Sequence, residues 1–240
     1  MPLASLLHRL AVAASVLAVS AATLHAAGPS FDCARETGEV EQAICRSASL
    51  SALDARIAGA YRALMTAWKD QPEARDELRR AQRDFLERRA DALRGPDGAL
   101  GRLHQDQLAL LSAIETTPRP SFEGRWGKLS GQVKIRREAA GEAIWGAAVE
   151  PVRFRWICEI DARGRSVDGV FVSPAEAGTP GFAEWSLRIE RIGPLAQLRE
   201  YAPPGGHVLP DGSSGEQRPY CGHNGRFDGV YFPLRPEAAR

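Results

Sequence analysis

The feature that most constrains this chain is a change of apolar period at Thr116-Thr117-Pro118-Arg119-Pro120, where a helical pattern stops and a strand pattern begins. Before it, Leu50, Leu53, Ile57, Tyr61, Leu64 and Trp68 recur at three- and four-residue steps, which makes one apolar stripe on one helix face. Ser47 or Ser49 is positioned to cap that helix by accepting a backbone N–H. Asp70-Gln71-Pro72 ends it, and Pro72 suits the first turn of a second helix from about Glu73 to Leu93. The second stripe, Leu78, Ala81, Phe85 and Ala92, is thinner and is surrounded by Arg and acids. Gly95-Pro96-Asp97-Gly98 is a turn, and a third helix points Leu100, Leu103, Leu110, Leu111 and Ile114 inward. Short loops between such helices imply antiparallel packing.

After the two prolines the period becomes two. Val133 and Ile135, then Phe154, Trp156, Cys158 and Ile160, then Trp185, Leu187 and Ile189 each occupy alternate positions, the signature of half-buried strands. Asp161-Ala162-Arg163-Gly164, Pro203-Pro204-Gly205-Gly206 and Pro210-Asp211-Gly212 mark turns. The expected fold is therefore α+β: an N-terminal antiparallel helical domain followed by a small all-β antiparallel barrel or sandwich of about six to eight strands. The expected division is a signal peptide over 1–26, a helical domain over 28–116, a linker over 117–121 and a β domain over 122–240.

The first residues carry the three parts of a secretory signal: a charged start at Arg9, an uncharged apolar run from Leu10 to Leu24, and a small-residue exit at Leu24-His25-Ala26. The run is about 15 residues, against about 20 for a membrane-spanning helix. No later segment is apolar enough to span, so no membrane span is expected once the signal is removed, and the expected location is periplasmic or secreted. The first cysteine, Cys33, follows Ser30-Phe31-Asp32, which is not a lipidation context.

A net charge of +1 argues against a nucleic-acid partner. Four cysteines in an exported chain read as disulfides. The expected pairing stays within each region, Cys33 with Cys45 and Cys158 with Cys221; the two other connectivities would cross the linker. On a loop-closure argument the short and long loops contribute roughly 3 and roughly 4 kcal/mol. The metal-binding alternative rests on a single close pair, Cys221 and His223, with no second pair beside it, so no metal site is expected.

The stretch from Phe31 to about Leu111 resembles a known family. It reads Ser30-Phe31-Asp32-Cys33, Val40-Glu41-Gln42-Ala43-Ile44-Cys45, Leu50-Ser51-Ala52-Leu53-Asp54, Ala60-Tyr61 and Arg80-Ala81-Gln82-Arg83-Asp84-Phe85-Leu86-Glu87-Arg88-Arg89. This is similar to the N-terminal domain of the LprI-type lysozyme inhibitors, whose pattern is Phe-Asp-Cys, Ile-Cys, Leu-Asp, Ala-Tyr and Gln-x-x-Trp-Leu-x-x-Arg. Two departures stand out. Phe85 occupies the Trp position, and the family's second Cys pair is replaced by Ala90-Asp91-Ala92 and Ala99-Leu100. From Cys221 to Tyr231 the chain resembles the closing strand of a β domain that accompanies such helical domains. On their own chemistry, Leu53, Tyr61 and Phe85 read as core, Arg88 and Arg89 as a solvated face or a carbonyl cap, and Tyr231 as a half-buried edge.

No catalytic constellation is legible. His104 is expected on a solvated helix face. His207, His223 and Gly212-Ser213-Ser214-Gly215 fall in Gly-rich loops without the strand–turn–helix context of a nucleophile elbow. Hence no catalytic residue, enzyme activity, cofactor or metal is expected. The resemblance implies a binding protein with a protein partner, a lysozyme, to inhibit; the alternative is a structural or stress-related envelope protein. Within the Cys33–Cys45 segment, Arg35, Glu36, Glu39 and Glu41 are the candidate partner-binding residues.

Overall fold

The computed structural model describes residues 28–167, 170–174, 186–201, 220–222 and 225–237. The signal-peptide expectation, Trp185, the turns at 203–206 and 210–212, Ser213, Ser214, His207 and His223 lie outside them.

Four helices open the fold: α1 (Glu39–Arg46), α2 (Ala48–Ala67), α3 (Pro72–Leu93) and α4 (Ala99–Ala113). Of the two serines, Ser47 is the cap, its side chain accepting from the Leu50 N–H at 3.3 Å. Pro72 stands at the first turn of α3. Gly98 sits at φ 73° before α4, a left-handed position that glycine takes without Cβ strain. Of the expected inward residues, Ile57, Leu64, Trp68, Leu78, Phe85, Ala92, Leu100, Leu103, Leu110, Leu111 and Ile114 are buried, whereas Leu50, Leu53, Tyr61 and Ala81 are half-buried against the same core. The short helix α1 adds a layer that the apolar stripes do not announce.

The second half is a closed barrel of eight antiparallel strands in sequence order: β1 (Gly124–Lys128), β2 (Gly131–Glu138), β3 (Gly141–Val149), β4 (Ile157–Val167), β5 (Val170–Pro174), β6 (Ser186–Ile192), β7 (Leu195–Tyr201) and β8 (Gly229–Leu234). β8 returns to β1 through pairs such as Arg125 with Leu234 and Gly127 with Phe232, which removes the open edges. Of the two expected architectures, barrel and sandwich, the barrel is the one formed. Trp126, Val133, Ile135, Ile144, Ile160, Phe171, Leu187, Ile189 and Tyr231 form one buried core.

Three readings are corrected here. Asp161-Ala162-Arg163-Gly164, expected as a turn, lies inside β4, and each of its four residues pairs with β3, from Trp145 with Asp161 to Glu142 with Gly164. Phe154 was expected inside a strand; it lies before β4, with φ 55° and 52% exposure. The turn-forming loop it belongs to overrides the alternation, which begins only at Ile157. Tyr231 is not an edge residue but is 1% exposed, its hydroxyl donating to the Phe227 carbonyl at 2.8 Å. Closure of the barrel buries that face.

The helices and the barrel share a core. Val152, Leu195, Phe232 and Leu234 belong to the same buried cluster as the helical stripes. Alternation explains how β8 serves both sides: Tyr231 enters the barrel core, while Phe232 and Leu234 enter the helical one. Phe232 stacks on Trp68 at 5.9 Å between ring centroids. The segment between the two halves is pinned as well. Glu115 N–H donates to the Pro233 carbonyl, Arg235 N–H to the Ala113 carbonyl, both at 2.8 Å. The Arg119 guanidinium meets Glu115 at 2.6 Å and the carbonyls of Arg125 and Leu234.

Replacing Phe232 with Ala is expected to cost about 3–5 kcal/mol, the range for truncating a buried Phe. Urea unfolding followed by far-ultraviolet dichroism and by tryptophan emission should show both signals shifted to lower denaturant together. Transitions that separate between the two signals would contradict the shared core.

Candidate partner-binding site

The Cys33–Cys45 segment is built from local polar contacts, a disulfide and one deep ion pair. Asp32 starts a turn: its carboxylate accepts the Ala34 N–H at 3.0 Å and its carbonyl accepts the Arg35 N–H at 3.0 Å. A disulfide joins Cys33 to Cys45 and spans α1. Glu39 and Glu41 occupy the first turn of α1, where partial positive charge at the helix N-terminus favours carboxylates.

The four candidate residues separate in space. Arg35 is fully at the surface, its side chain 85% exposed and 3.3 Å from Asp32. Glu39 is exposed and Glu36 is half-buried. Glu41 turns inward and meets Arg89 of α3 at 2.9 Å. The same guanidinium lies 3.8 Å from Asp54 of α2, and the other oxygen of Asp54 accepts the Ser30 N–H at 2.7 Å. Arg89 is thus a buried bridge between α1 and α2 and not the solvated residue or carbonyl cap expected from its charge-rich neighbourhood. Only the deep position of two carboxylates, Glu41 and Asp54, makes its burial tolerable.

His104 lies in this same region and is 0% exposed, which corrects the solvated position expected for it. Its Nδ1 is 2.8 Å from the Leu100 carbonyl, its ring meets Phe85 edge-on at 5.2 Å, and Nε2 has no hydrogen-bond partner among the described residues. Burial pushes its pKa below the ordinary imidazole value. Phe85, at the family's Trp position, supplies the ring that covers it. Ala92 and Ala99, in the two stretches where the family carries its second cysteine pair, are both buried in the helical core. Packing replaces the staple between α3 and α4.

Beyond this site, a cleft of about 470 Å³ lies between α3 and the barrel, lined among others by Glu77, Arg80, Asp84, Arg88, Lys128 and Trp156. Burial pushes the Glu77 carboxyl up and pushes Lys128 down to about 8. These groups are engaged: Glu77 pairs with Arg80, and the Lys128 ammonium donates to the carbonyls of Phe227 and Asp228 at 3.0 and 2.7 Å. In the barrel, a disulfide joins Cys158 to Cys221. Among the described residues no group of three or more His, Cys, Asp and Glu is arranged to hold a metal ion. No helix there is long and apolar enough to cross a membrane.

The architecture is that of a stapled antiparallel helical domain fused to a closed barrel. Its helical part, residues 33–117, matches the family model described as Lysozyme inhibitor LprI. No curated protein and no solved structure matches the chain.

Replacing Arg89 with Ala strands Glu41 and Asp54, and removing one partner of a buried ion cluster costs about 3–5 kcal/mol. Thermal unfolding should register that loss, and Arg89→Lys should recover only part of it, because a compact ammonium lacks the planar fork whose two nitrogens face Glu41 and Asp54 separately. For His104 the sign is fixed by its lowered folded pKa. As pH falls, the unfolded chain takes up the proton first. The stability is present above about pH 6.5 and is lost as pH falls below it toward the folded value. The difference in melting temperature between wild type and His104→Leu should therefore change between pH 7 and pH 5; a pH-independent difference would refute the assignment.

Proposed function

We propose that this protein is a non-enzymatic binding protein of the periplasm or secreted space that inhibits a lysozyme. The observation that carries the reading is the LprI match over 33–117, which covers the disulfide-closed segment and the helices that anchor it. The two disulfides support a location outside the reducing cytoplasm.

In this reading the Cys33–Cys45 segment is the contact surface. Arg35, Glu36 and Glu39 meet the enzyme, and Glu41 works from behind through Arg89 to hold α1 in place. A disulfide and an ion pair at opposite ends of one short helix lower the ordering cost of association. The acids Glu36 and Glu39 suit the cationic rim of a basic enzyme's cleft.

The test is a cell-wall lysis assay with the mature protein against several lysozyme types. Inhibition is expected below about ten micromolar, roughly −7 kcal/mol of binding. Cys33→Ser/Cys45→Ser and the charge reversal Glu36→Lys/Glu39→Lys should each weaken it. No inhibition of any type at that concentration would favour a structural or stress-related envelope role instead.

A further inference from the structure

The segment between β3 and β4 is a turn with a buried base and an exposed tip. Glu150 is 3% exposed, and its carboxylate accepts the N–H groups of Val152 and Arg153 at 3.1 and 2.6 Å. Its own N–H donates to the Trp156 carbonyl at 3.1 Å, and its carbonyl accepts the Phe154 N–H at 3.3 Å. Val152 is inserted into the helical core, against the backbone turn at Gly95. The Arg153 side chain reaches Asp91 of α3 at 2.8 Å. The turn is held to the fold through Glu150, Val152 and Arg153.

That tip is Phe154, at φ 55°. Few non-glycine residues occupy this left-handed region, and a bulky one there is strained. The strain gains no burial, since half of the side chain faces solvent. Of the three large apolar side chains that are exposed among the described residues, Phe154 lies on this segment and Ile157 opens the strand that follows it. Arginines surround it. Arg153 and Arg155 flank Phe154, Arg88 and Arg155 each approach Glu150 at 3.9 Å, and Arg102 lies 6.0 Å from the Phe154 ring centre. Against these four guanidiniums the turn touches two carboxylates, Glu150 and Asp91, of which one is buried and the other is bound to Arg153. The tip is cationic with an apolar centre.

We propose that this turn is a second docking element, in which Phe154 enters the substrate cleft of the inhibited lysozyme and Arg155 meets a carboxylate there. The proposal rests on the lysozyme reading above and extends it to residues outside the matched 33–117. Rigid aromatic and Arg side chains are the residue types that dominate protein interfaces. A glycosidase cleft holds a pair of carboxylates beside sugar-binding walls, which complements an aromatic tip framed by guanidiniums. The turn meets α3 through Arg88 and Asp91, and the Cys33–Cys45 segment meets it through Arg89, so both elements stand at the C-terminal end of that helix.

The experiment uses the full mature protein and a lysozyme that the wild type inhibits. Calorimetric titration is run on wild type, Phe154→Gly and Arg155→Glu, with thermal unfolding of each and with chito-oligosaccharide filling the enzyme cleft as competitor. Phe154→Gly should weaken binding at least about 30-fold, the threshold of an interface hot spot. Its melting temperature should be unchanged or raised, because glycine relieves the left-handed strain. Arg155→Glu should weaken binding at least about tenfold, and oligosaccharide should compete with the wild type. Wild-type affinity in both variants, or no competition by oligosaccharide, overturns the turn's role and leaves the inhibitor reading standing. A lowered melting temperature in Phe154→Gly that accounts for its weaker binding overturns it as well. Failure of the wild type to bind any lysozyme in a panel overturns both.

Discussion

The guanidinium of Arg89 is the interaction on which the helical half depends. It takes Glu41 from α1 and faces Asp54 from α2, while Asp54 also fixes the chain entering the domain at Ser30. A charge this deep is costly unless its counter-charges are positioned with it, so three separate segments must arrive in one geometry or none of them is tolerable. The ion cluster therefore acts less as a source of net stability than as a filter on arrangement. Apolar stripes on α2, α3 and α4 would tolerate small rotations; the position of Arg89 under α1 does not. The disulfide at Cys33–Cys45 closes the same unit from outside.

Where the sequence was legible, the reason is periodicity. Stripes at Leu50 to Trp68 and Leu100 to Ile114, and alternation at Val133–Ile135 and Leu187–Ile189, place these residues in helices and strands directly. Alternation also assigns the strand faces around Cys158 and Ile160, but it misleads at Phe154. There the backbone is set by a carboxylate four positions earlier, a contact that has no periodic trace. Arg89 and His104 fail for a related reason. A polar residue in a polar helix face reads as solvated, and its burial becomes visible only when partners distant in sequence, such as Glu41, are brought to it. The candidate segment shows both cases. Arg35 and Glu39 are at the surface as their charge implies, whereas Glu41, two positions after Glu39, is committed to the interior.

The two halves of the molecule were expected to be distinguished by period, and they are, but a difference of period says nothing about independence. Phe232 and Leu234 follow the alternation of a strand and yet fill the helical core, because β8 is the strand that faces the helices. A strand buried on both faces loses its polar alternate residues, and Val230-Tyr231-Phe232-Pro233-Leu234 is such an unbroken apolar run. That run is the one sequence feature from which the shared core was readable in advance. The polar side chain of the linker residue Arg119 is engaged rather than open to solvent: it donates to the Glu115 carboxylate and to the carbonyls of Arg125 and Leu234.

The arrangement of β8 also bears on the order of biogenesis. Helices emerge early in synthesis and would ordinarily be free to pack at once. Here Trp68 awaits Phe232, and Arg119 awaits a carbonyl 115 positions further along the chain. Until that strand is delivered, the helical stripes have an uncovered face. A prematurely terminated copy therefore lacks the surface that finishes its first half, and is exposed to proteases as an unfinished chain.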